Sequence, residues 1–199
     1  MTERPPPVSL MNLPNALTVL RLLLVPVFLL ALFAQGGHDP TWRWIAWAIF
    51  AVAAITDRYD GHIARKRGQV TDFGKIADPI ADKALTGSAL IALSMLGDLA
   101  WWVTLVILTR EIGVTLLRFA VIRYGVIAAS PGGKAKTFVQ IIAIGLYILP
   151  LPDSLYWVQI GAMGLAVLLT VVTGLDYVLR AWHVYANAKT GQRPPAPGV

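Results

Sequence analysis

Long apolar runs, separated by short polar connections, form the dominant pattern of this chain. Apolar residues continue through helix-length windows instead of alternating with polar ones, which is typical of membrane-spanning helices. A hydrocarbon core of about 30 Å requires roughly 20 mainly apolar residues per helix. We therefore predict six spans, at Pro14–Ala34, Trp44–Thr56, Ile80–Leu96, Trp101–Ile122, Thr137–Leu151 and Leu155–Ala181.

Two of these predicted spans are short, and polar sequence extends both of them. The second extends from Thr41 into residues 57–65, and the fifth extends back toward Lys134. A helix that leaves the membrane while it carries polar residues is a candidate for a site at the interface.

Prolines predict two irregular helix ends. Because Pro79 disfavours a helical conformation at the residue before it, we expect the third helix to begin or kink at Asp78. Pro131 and Gly132 predict a loop-like approach to Lys134.

Basic residues lie in alternate connections and therefore predict the orientation of the chain, since cytoplasmic loops are enriched in Lys and Arg. The intervening connections, 36–40, 97–99 and 152–154, contain neither residue, and most tryptophans lie at that opposite end of the spans. Both termini should thus be cytoplasmic. The basic residues that define this side are Arg4, Arg58, Arg65, Lys66, Arg67, Lys75, Arg123, Lys134, Lys136, Arg180, Lys189 and Arg193.

Composition agrees with a protein embedded in a bilayer. The 199 residues are 56% hydrophobic and 14% charged, whereas a soluble domain carries about 25% charged residues. The formal net charge of +6 requires no nucleic acid as a partner, because sidedness and anionic lipids account for it. The chain has no cysteine, which excludes disulfides and thiolate metal sites.

We predict an all-α, multi-pass protein of the cell membrane with six transmembrane helices. A cytoplasmic arm, residues 1–13, precedes a single membrane domain, residues 14–186, and a polar tail, residues 187–199, follows it. The first apolar run has no evident small-residue cleavage site, so we expect a retained span rather than a removed signal peptide.

Candidate chemistry lies between the second and third spans, where four aspartates follow helical spacing. Asp57 and Asp60 share a stripe with two small residues, Gly61 and Ala64, and a second stripe contains Gly74, Asp78 and Asp82. Four carboxylates at a membrane interface would repel one another unless cations lay between them. Oxygen ligands suit Mg²⁺ or Mn²⁺, and two such ions about 4 Å apart are the usual arrangement for phosphoryl displacement.

Two alternatives follow from the same residues. In the first, the acidic residues form a solvated face that pairs with the neighbouring Arg58, Arg65, Lys66 and Arg67, and Asp72, which lies on neither stripe, is assigned to that face. In the second, buried carboxylates line the ion path of a divalent-cation transporter. A transporter predicts acidic residues distributed across the membrane, whereas these four cluster at one interface.

The same run resembles the signature of the CDP-alcohol phosphotransferases, D-x2-D-G-x2-A-R-x8-G-x3-D-x3-D, at every fixed position. The resemblance implies a six-helix membrane enzyme, usually a homodimer. Such an enzyme moves a phosphatidyl group from CDP-diacylglycerol, a membrane lipid, to an alcohol and releases CMP.

The resemblance also implies roles for single residues. Asp57, Asp60 and Asp78 are similar to the ligands of one metal ion, and Asp57, Asp78 and Asp82 to those of a second. Asp82 is similar to the general base as well. The positions expected to hold CDP-diacylglycerol are Gly61, Ala64, Arg65 and Gly74, supplemented by Thr71, Asn15 and Thr18.

Two further stretches bear on the acceptor alcohol. Arg110 and Glu111 lie among apolar residues of the fourth span, where charges are costly unless they are paired or functional. Arg118, Lys134 and Lys136 could bind an acceptor phosphate near the cytoplasmic surface. Alternatively, Arg110 and Glu111 are a structural pair and the lysines only satisfy sidedness.

The pattern TREIxxxxLR followed by GKxKT resembles the branch of the family that uses soluble glycerol 3-phosphate and makes phosphatidylglycerophosphate. Phosphatidylglycerol, as in cardiolipin synthesis, and inositol phosphate are the alternative acceptors. Asp176 and Arg180, at i and i+4, are interpreted as a pair at a helix end.

Overall fold

The computed structural model describes residues 13–67, 72–121 and 131–189, and every regular element in these ranges is helical. The helical class predicted from the sequence is thereby confirmed. Single 3₁₀ turns, Ala34–Gly37 and Asp153–Leu155, precede the second and sixth α-helices. The six α-helices are α1 Leu13–Phe33, α2 Pro40–Arg67, α3 Asp72–Met95, α4 Trp101–Val121, α5 Pro131–Ile148 and α6 Tyr156–Lys189.

Helix α3 begins at Asp72, so the first alternative, a helix that begins at Asp78, was wrong, and the second, a kink at Asp78, stays a prediction. A proline inside a helix removes one hydrogen bond and costs about 3 kcal/mol, which a helix of 24 residues tolerates when its other residues are packed. Helix α1 likewise continues through Pro26.

Helix α5 begins at Pro131, so the loop-like approach predicted from Pro131 and Gly132 was also wrong. Proline is favoured at the first helical position, because the N–H that it lacks would have no partner there and its φ angle is already helical. Lys134 and Lys136 consequently belong to the beginning of a helix.

Two helices of the described chain are long and apolar enough to cross a membrane. These segments, Asn15–Gly37 and Asp153–His183, have mean hydropathies of 2.5 and 2.0, and only 28% and 22% of their most apolar windows are buried. A core helix of a soluble protein would be mostly covered, whereas Leu30 on α1 is 75% exposed and Trp157 on α6 is 76% exposed. Such apolar surfaces fit contact with lipid. Six spans with cytoplasmic termini remain a prediction.

The chain divides into two compact units. The first comprises residues 1–99 and 144–152. In it α1 packs against α2 and α3, and the rings of Phe28 and Phe50 lie 5.8 Å apart. The second comprises residues 100–143 and 153–199, and in it α4 packs against α6 around buried residues such as Ile107 and Ala166.

A buried arginine joins three segments of the first unit that are distant in sequence. Arg43, in the first turn of α2, forms an ion pair with Asp98 and donates hydrogen bonds to the carbonyl oxygens of Gly37 and Tyr147. The side chain of Arg43 is 6% exposed. Gly37 has a φ of +84°, and a Cβ atom there would clash with a methyl carbon of Leu96. Both conditions favour glycine at this position.

Candidate active site

The backbone places the predicted signature on two helices of the first unit. The earlier positions of the motif, which contain Asp57 and Asp60, lie in the last turns of α2, and the later ones, with Asp78 and Asp82, lie on α3. The helical spacing from which the two stripes were predicted is therefore present. The side chains of Asp57, Asp60, Gly61, Ala64, Arg65, Gly74, Asp78 and Asp82, and all of Thr71, lie outside the described residues, and their ligand roles remain predictions.

The donor set of this signature suits hard divalent cations. It offers carboxylate oxygens from two helices of one unit, and Mg²⁺ and Mn²⁺ prefer such ligands. Among the side chains that the structure describes, no group of three histidine, aspartate or glutamate residues could hold a metal ion. The four aspartates therefore remain the predicted ligands.

Three polar residues follow one another along the first turns of α1, at i, i+3 and i+6. Asn15 and Thr18, which the sequence predicts to contact the nucleotide, are buried, with 5% and 0% exposure. Arg21 continues the series and is fully buried. Sequence reasoning missed Arg21, although the spacing in PNALTVLR could have identified it. A fully buried guanidinium on a helix that packs against α2 and α3 adds positive charge to the unit that carries the four aspartates.

A second polar cluster lies within the second unit and centres on Glu111. The Glu111 carboxylate accepts from the Arg110 guanidinium at 3.1 Å and forms an ion pair with the Lys136 ammonium. Arg110 also donates to the Thr173 hydroxyl at 2.9 Å. The side chain of Lys136 is 3% exposed. The carboxylate thereby stabilises one buried cation, Lys136, and one partly buried cation, Arg110, which would otherwise repel each other.

Helix α6 leaves room for Arg110. The guanidinium carbon lies 5.7 Å from the centre of the Tyr177 ring, within the range of a cation–π contact. A Cβ atom at Gly174 would lie 3.0 Å from Cγ of Arg110. The absence of a side chain at this position therefore permits the close approach of α4 and α6.

Of the three residues predicted to bind the acceptor phosphate, only one has a side chain that the structure describes. Arg118 lies on α4 and Lys134 on α5, but their side chains are outside the described residues. Lys136 is described and forms an ion pair with Glu111. Glu111 also pairs with Arg110, as in the alternative in which Arg110 and Glu111 are a structural pair. The contributions of Thr173, Gly174 and Tyr177 were missed, because no local pattern links α6 with α4.

Asp176 and Arg180 form the ion pair expected from their i, i+4 spacing, but α6 continues to Lys189, so the prediction that the pair lies at a helix end was wrong. Nε of Arg180 lies 3.0 and 2.9 Å from the two carboxylate oxygens of Asp176. Side-chain exposures of 53% for Arg180 and 39% for Asp176 identify an exposed pair, which contributes little to stability.

Comparison with known proteins identifies the chemistry that these residues resemble. A family model described as CDP-alcohol phosphatidyltransferase matches residues 11–172. The chain is 65% identical over 170 residues to a probable phosphatidylglycerophosphate synthase of Mycobacterium tuberculosis (strain ATCC 25618 / H37Rv). The alignment covers 85% of this chain and 81% of the relative.

More distant relatives have names that specify the substrates. The CDP-diacylglycerol–glycerol-3-phosphate 3-phosphatidyltransferase of Bacillus subtilis (strain 168) is 38% identical over 192 residues, covering 86% of this chain and 96% of the relative. A protein of the same name from Pseudomonas fluorescens is 37% identical over 185 residues, with coverages of 86% and 91%. These relatives favour an enzyme over a cation transporter.

Proposed function

The chain belongs to the CDP-alcohol phosphatidyltransferase family, and we propose that it transfers the phosphatidyl group of CDP-diacylglycerol to glycerol 3-phosphate. The products are phosphatidylglycerophosphate and CMP. The observation that carries this proposal is the similarity, over most of both chains, to relatives named for these two substrates. The complete aspartate signature on α2 and α3 provides the matching chemistry.

Asp57, Asp60, Asp78 and Asp82 would hold two Mg²⁺ or Mn²⁺ ions. Bound there, the ions would polarise the pyrophosphate and stabilise the negative charge of the departing CMP. The nucleotide and its pyrophosphate would be bound by the small and polar positions Asn15, Thr18, Gly61, Ala64, Arg65, Thr71 and Gly74.

Asp82 is the proposed general base. The acceptor's primary hydroxyl oxygen forms a bond to the phosphorus that carries diacylglycerol, while the bond from that phosphorus to the bridging oxygen of CMP breaks. The Asp82 carboxylate takes the hydroxyl proton as the new bond forms. This displacement requires no covalent intermediate with the enzyme.

The acceptor phosphate would be bound by Arg118, Lys134 and Lys136. An ammonium group has three donors, so the ion pair between Lys136 and Glu111 is compatible with a further contact to phosphate. Burial strengthens charge-assisted hydrogen bonds, because the surroundings screen them less than water does.

The proposed enzyme is a multi-pass membrane protein that acts as a homodimer. Its apolar helices and its family indicate a membrane protein. We place both termini and the active site on the cytoplasmic side, where the basic connections lie and where soluble glycerol 3-phosphate is available.

The decisive experiment incubates the purified protein with CDP-diacylglycerol, a divalent cation and one acceptor at a time. Glycerol 3-phosphate, phosphatidylglycerol, inositol phosphate and glycerol form the panel, and mass spectrometry identifies the lipid product. Phosphatidylglycerophosphate should form fastest. If cardiolipin or an inositol lipid formed faster, the acceptor would be phosphatidylglycerol or inositol phosphate instead of glycerol 3-phosphate.

A further inference from the structure

Gln140 carries a buried polar atom that the rest of the described chain does not satisfy. The residue lies on α5, is 4% exposed, and its Oε1 accepts no hydrogen bond from the described residues. Leaving a buried acceptor in this state costs free energy, and most such atoms in proteins have a partner. Turning the amide over would put a donor in the same place, which would equally require a partner.

Several other polar side chains of the second unit form hydrogen bonds within it. The hydroxyls of Thr170 and Thr173 each donate to a carbonyl oxygen one helical turn earlier, at 2.6 Å. The terminal nitrogens of Arg110 donate to Glu111 and Thr173. Two buried atoms of this unit lack a partner among the described residues: Nε of Arg110, whose terminal nitrogens are both bonded, and Oε1 of Gln140, for which no hydrogen bond is present within this part of the structure.

The position of Gln140 connects it with the proposed acceptor pocket. It follows Lys136 by four residues on α5, so the two side chains lie on one face of the helix, about 6 Å apart along its axis. Both are more than nine-tenths buried. Lys136 in turn contacts Glu111, which contacts Arg110. A hydrogen-bonding amide therefore lies one turn away from a buried lysine and the partly buried charges that it contacts.

We propose that Gln140 is a specificity-determining residue that hydrogen-bonds the non-reacting hydroxyl of a phosphorylated polyol acceptor. The inference rests on the proposed function and deepens it. Glycerol 3-phosphate has two hydroxyls, and the primary one is consumed in the transfer. Its C2 hydroxyl both donates and accepts, so it satisfies the Gln140 amide in either orientation while the neighbouring cations hold the phosphate.

The test compares glycerol 3-phosphate with 3-hydroxypropyl phosphate, which retains the phosphate and the reacting hydroxyl but lacks the C2 hydroxyl. A site built to bind a hydroxyl rejects an analogue without it, so the wild-type kcat/KM should favour glycerol 3-phosphate by about 10–100-fold. Gln140→Met has a similar length and no amide, and it should reduce this preference to about threefold or less. The KM for CDP-diacylglycerol should not change.

Thr170→Val is the matched control, because its hydroxyl is buried but bonded within its own helix, and it should retain the wild-type preference. Gln140→Met should melt no lower than wild type, since replacing an unsatisfied polar group by an apolar one removes a cost. Gln140→Leu provides a second variant if the methionine variant does not fold.

An unchanged preference in a folded Gln140 variant would overturn the inference while leaving the proposed function intact. A marked loss of stability in both variants would overturn it too, because the amide would then be structural. Failure of the wild-type protein to use glycerol 3-phosphate would instead overturn the proposed function and the inference together.

Discussion

At the residue scale, a single substitution at Asp82 should reduce the proposed activity most, because this carboxylate is both a predicted metal ligand and the proposed general base. We expect Asp82→Asn to remove nearly all turnover while the protein remains folded. A positioned general base contributes about 10²–10⁴-fold, and loss of a metal ligand adds to this effect. The measurement is the release of CMP from CDP-diacylglycerol, with the melting temperature as the check on folding.

Asp176→Asn is the control for this prediction, because Asp176 forms only the exposed pair with Arg180 among its described contacts. It should retain near-wild-type turnover. Turnover by Asp82→Asn at the wild-type rate would eliminate Asp82 as the base.

The acceptor cations form the second prediction at this scale. Lys134→Ala and Lys136→Ala should each raise the KM for glycerol 3-phosphate and leave the KM for CDP-diacylglycerol nearly unchanged. Hydrogen bonds to charged groups contribute about 1.5–3 kcal/mol, which corresponds to a 10–150-fold loss of kcat/KM. Steady-state kinetics with each substrate varied in turn measures the effect.

Arg65→Ala is the reciprocal control and should raise the KM for CDP-diacylglycerol instead. Lys136→Ala also breaks an ion pair with Glu111, so its melting temperature is measured alongside. A normal acceptor KM in both lysine variants would place the acceptor phosphate elsewhere.

At the element scale, the beginning of α2 depends on the ion pair between Arg43 and Asp98. Asp98→Ala would leave a guanidinium that is 6% exposed without this carboxylate, and we expect a loss of about 2–4 kcal/mol in the free energy of unfolding. Denaturant titration in detergent measures the loss. Asp153→Ala, which changes an exposed carboxylate in a 3₁₀ turn, is the matched control and should unfold like wild type.

Equal stability of the two variants would show that Arg43 needs no charged partner.

The helices also show where rules based on local sequence are insufficient. Pro79 predicts a helix that begins or kinks at Asp78, and Pro131 predicts a loop-like approach to Lys134, yet α3 begins at Asp72 and α5 at Pro131. A proline inside a helix destabilises it locally, whereas the packing of the whole helix decides whether the helix forms despite this loss of free energy.

At the scale of the whole molecule, the active site should face the cytoplasm. Cysteines introduced singly at His38 and Arg67 in this cysteine-free chain should react with an impermeant thiol reagent from opposite sides. His38 should label in intact cells and Arg67 only after lysis, because basic connections stay cytoplasmic. Labelling of Arg67→Cys in intact cells would reverse the topology.

The sequence by itself determined those predictions that depend only on residues close together in the chain. Apolar run length predicted the helical class, alternate basic connections predicted an orientation, and the spacing of Asp57, Asp60, Asp78 and Asp82 identified the family's signature. These depend on the period of a helix and on neighbours within a few turns, which any single segment already contains.

Only the tertiary structure decided which buried polar groups meet. Lys136 reaches Glu111 across 25 residues, Arg43 reaches Asp98 across 55, and Arg110 reaches Thr173 across 63. No local spacing encodes such pairs, because they depend on which helix faces pack together and on glycines such as Gly174 that allow a close approach. The same packing buries Gln140 and leaves its oxygen to be satisfied by something other than the described chain.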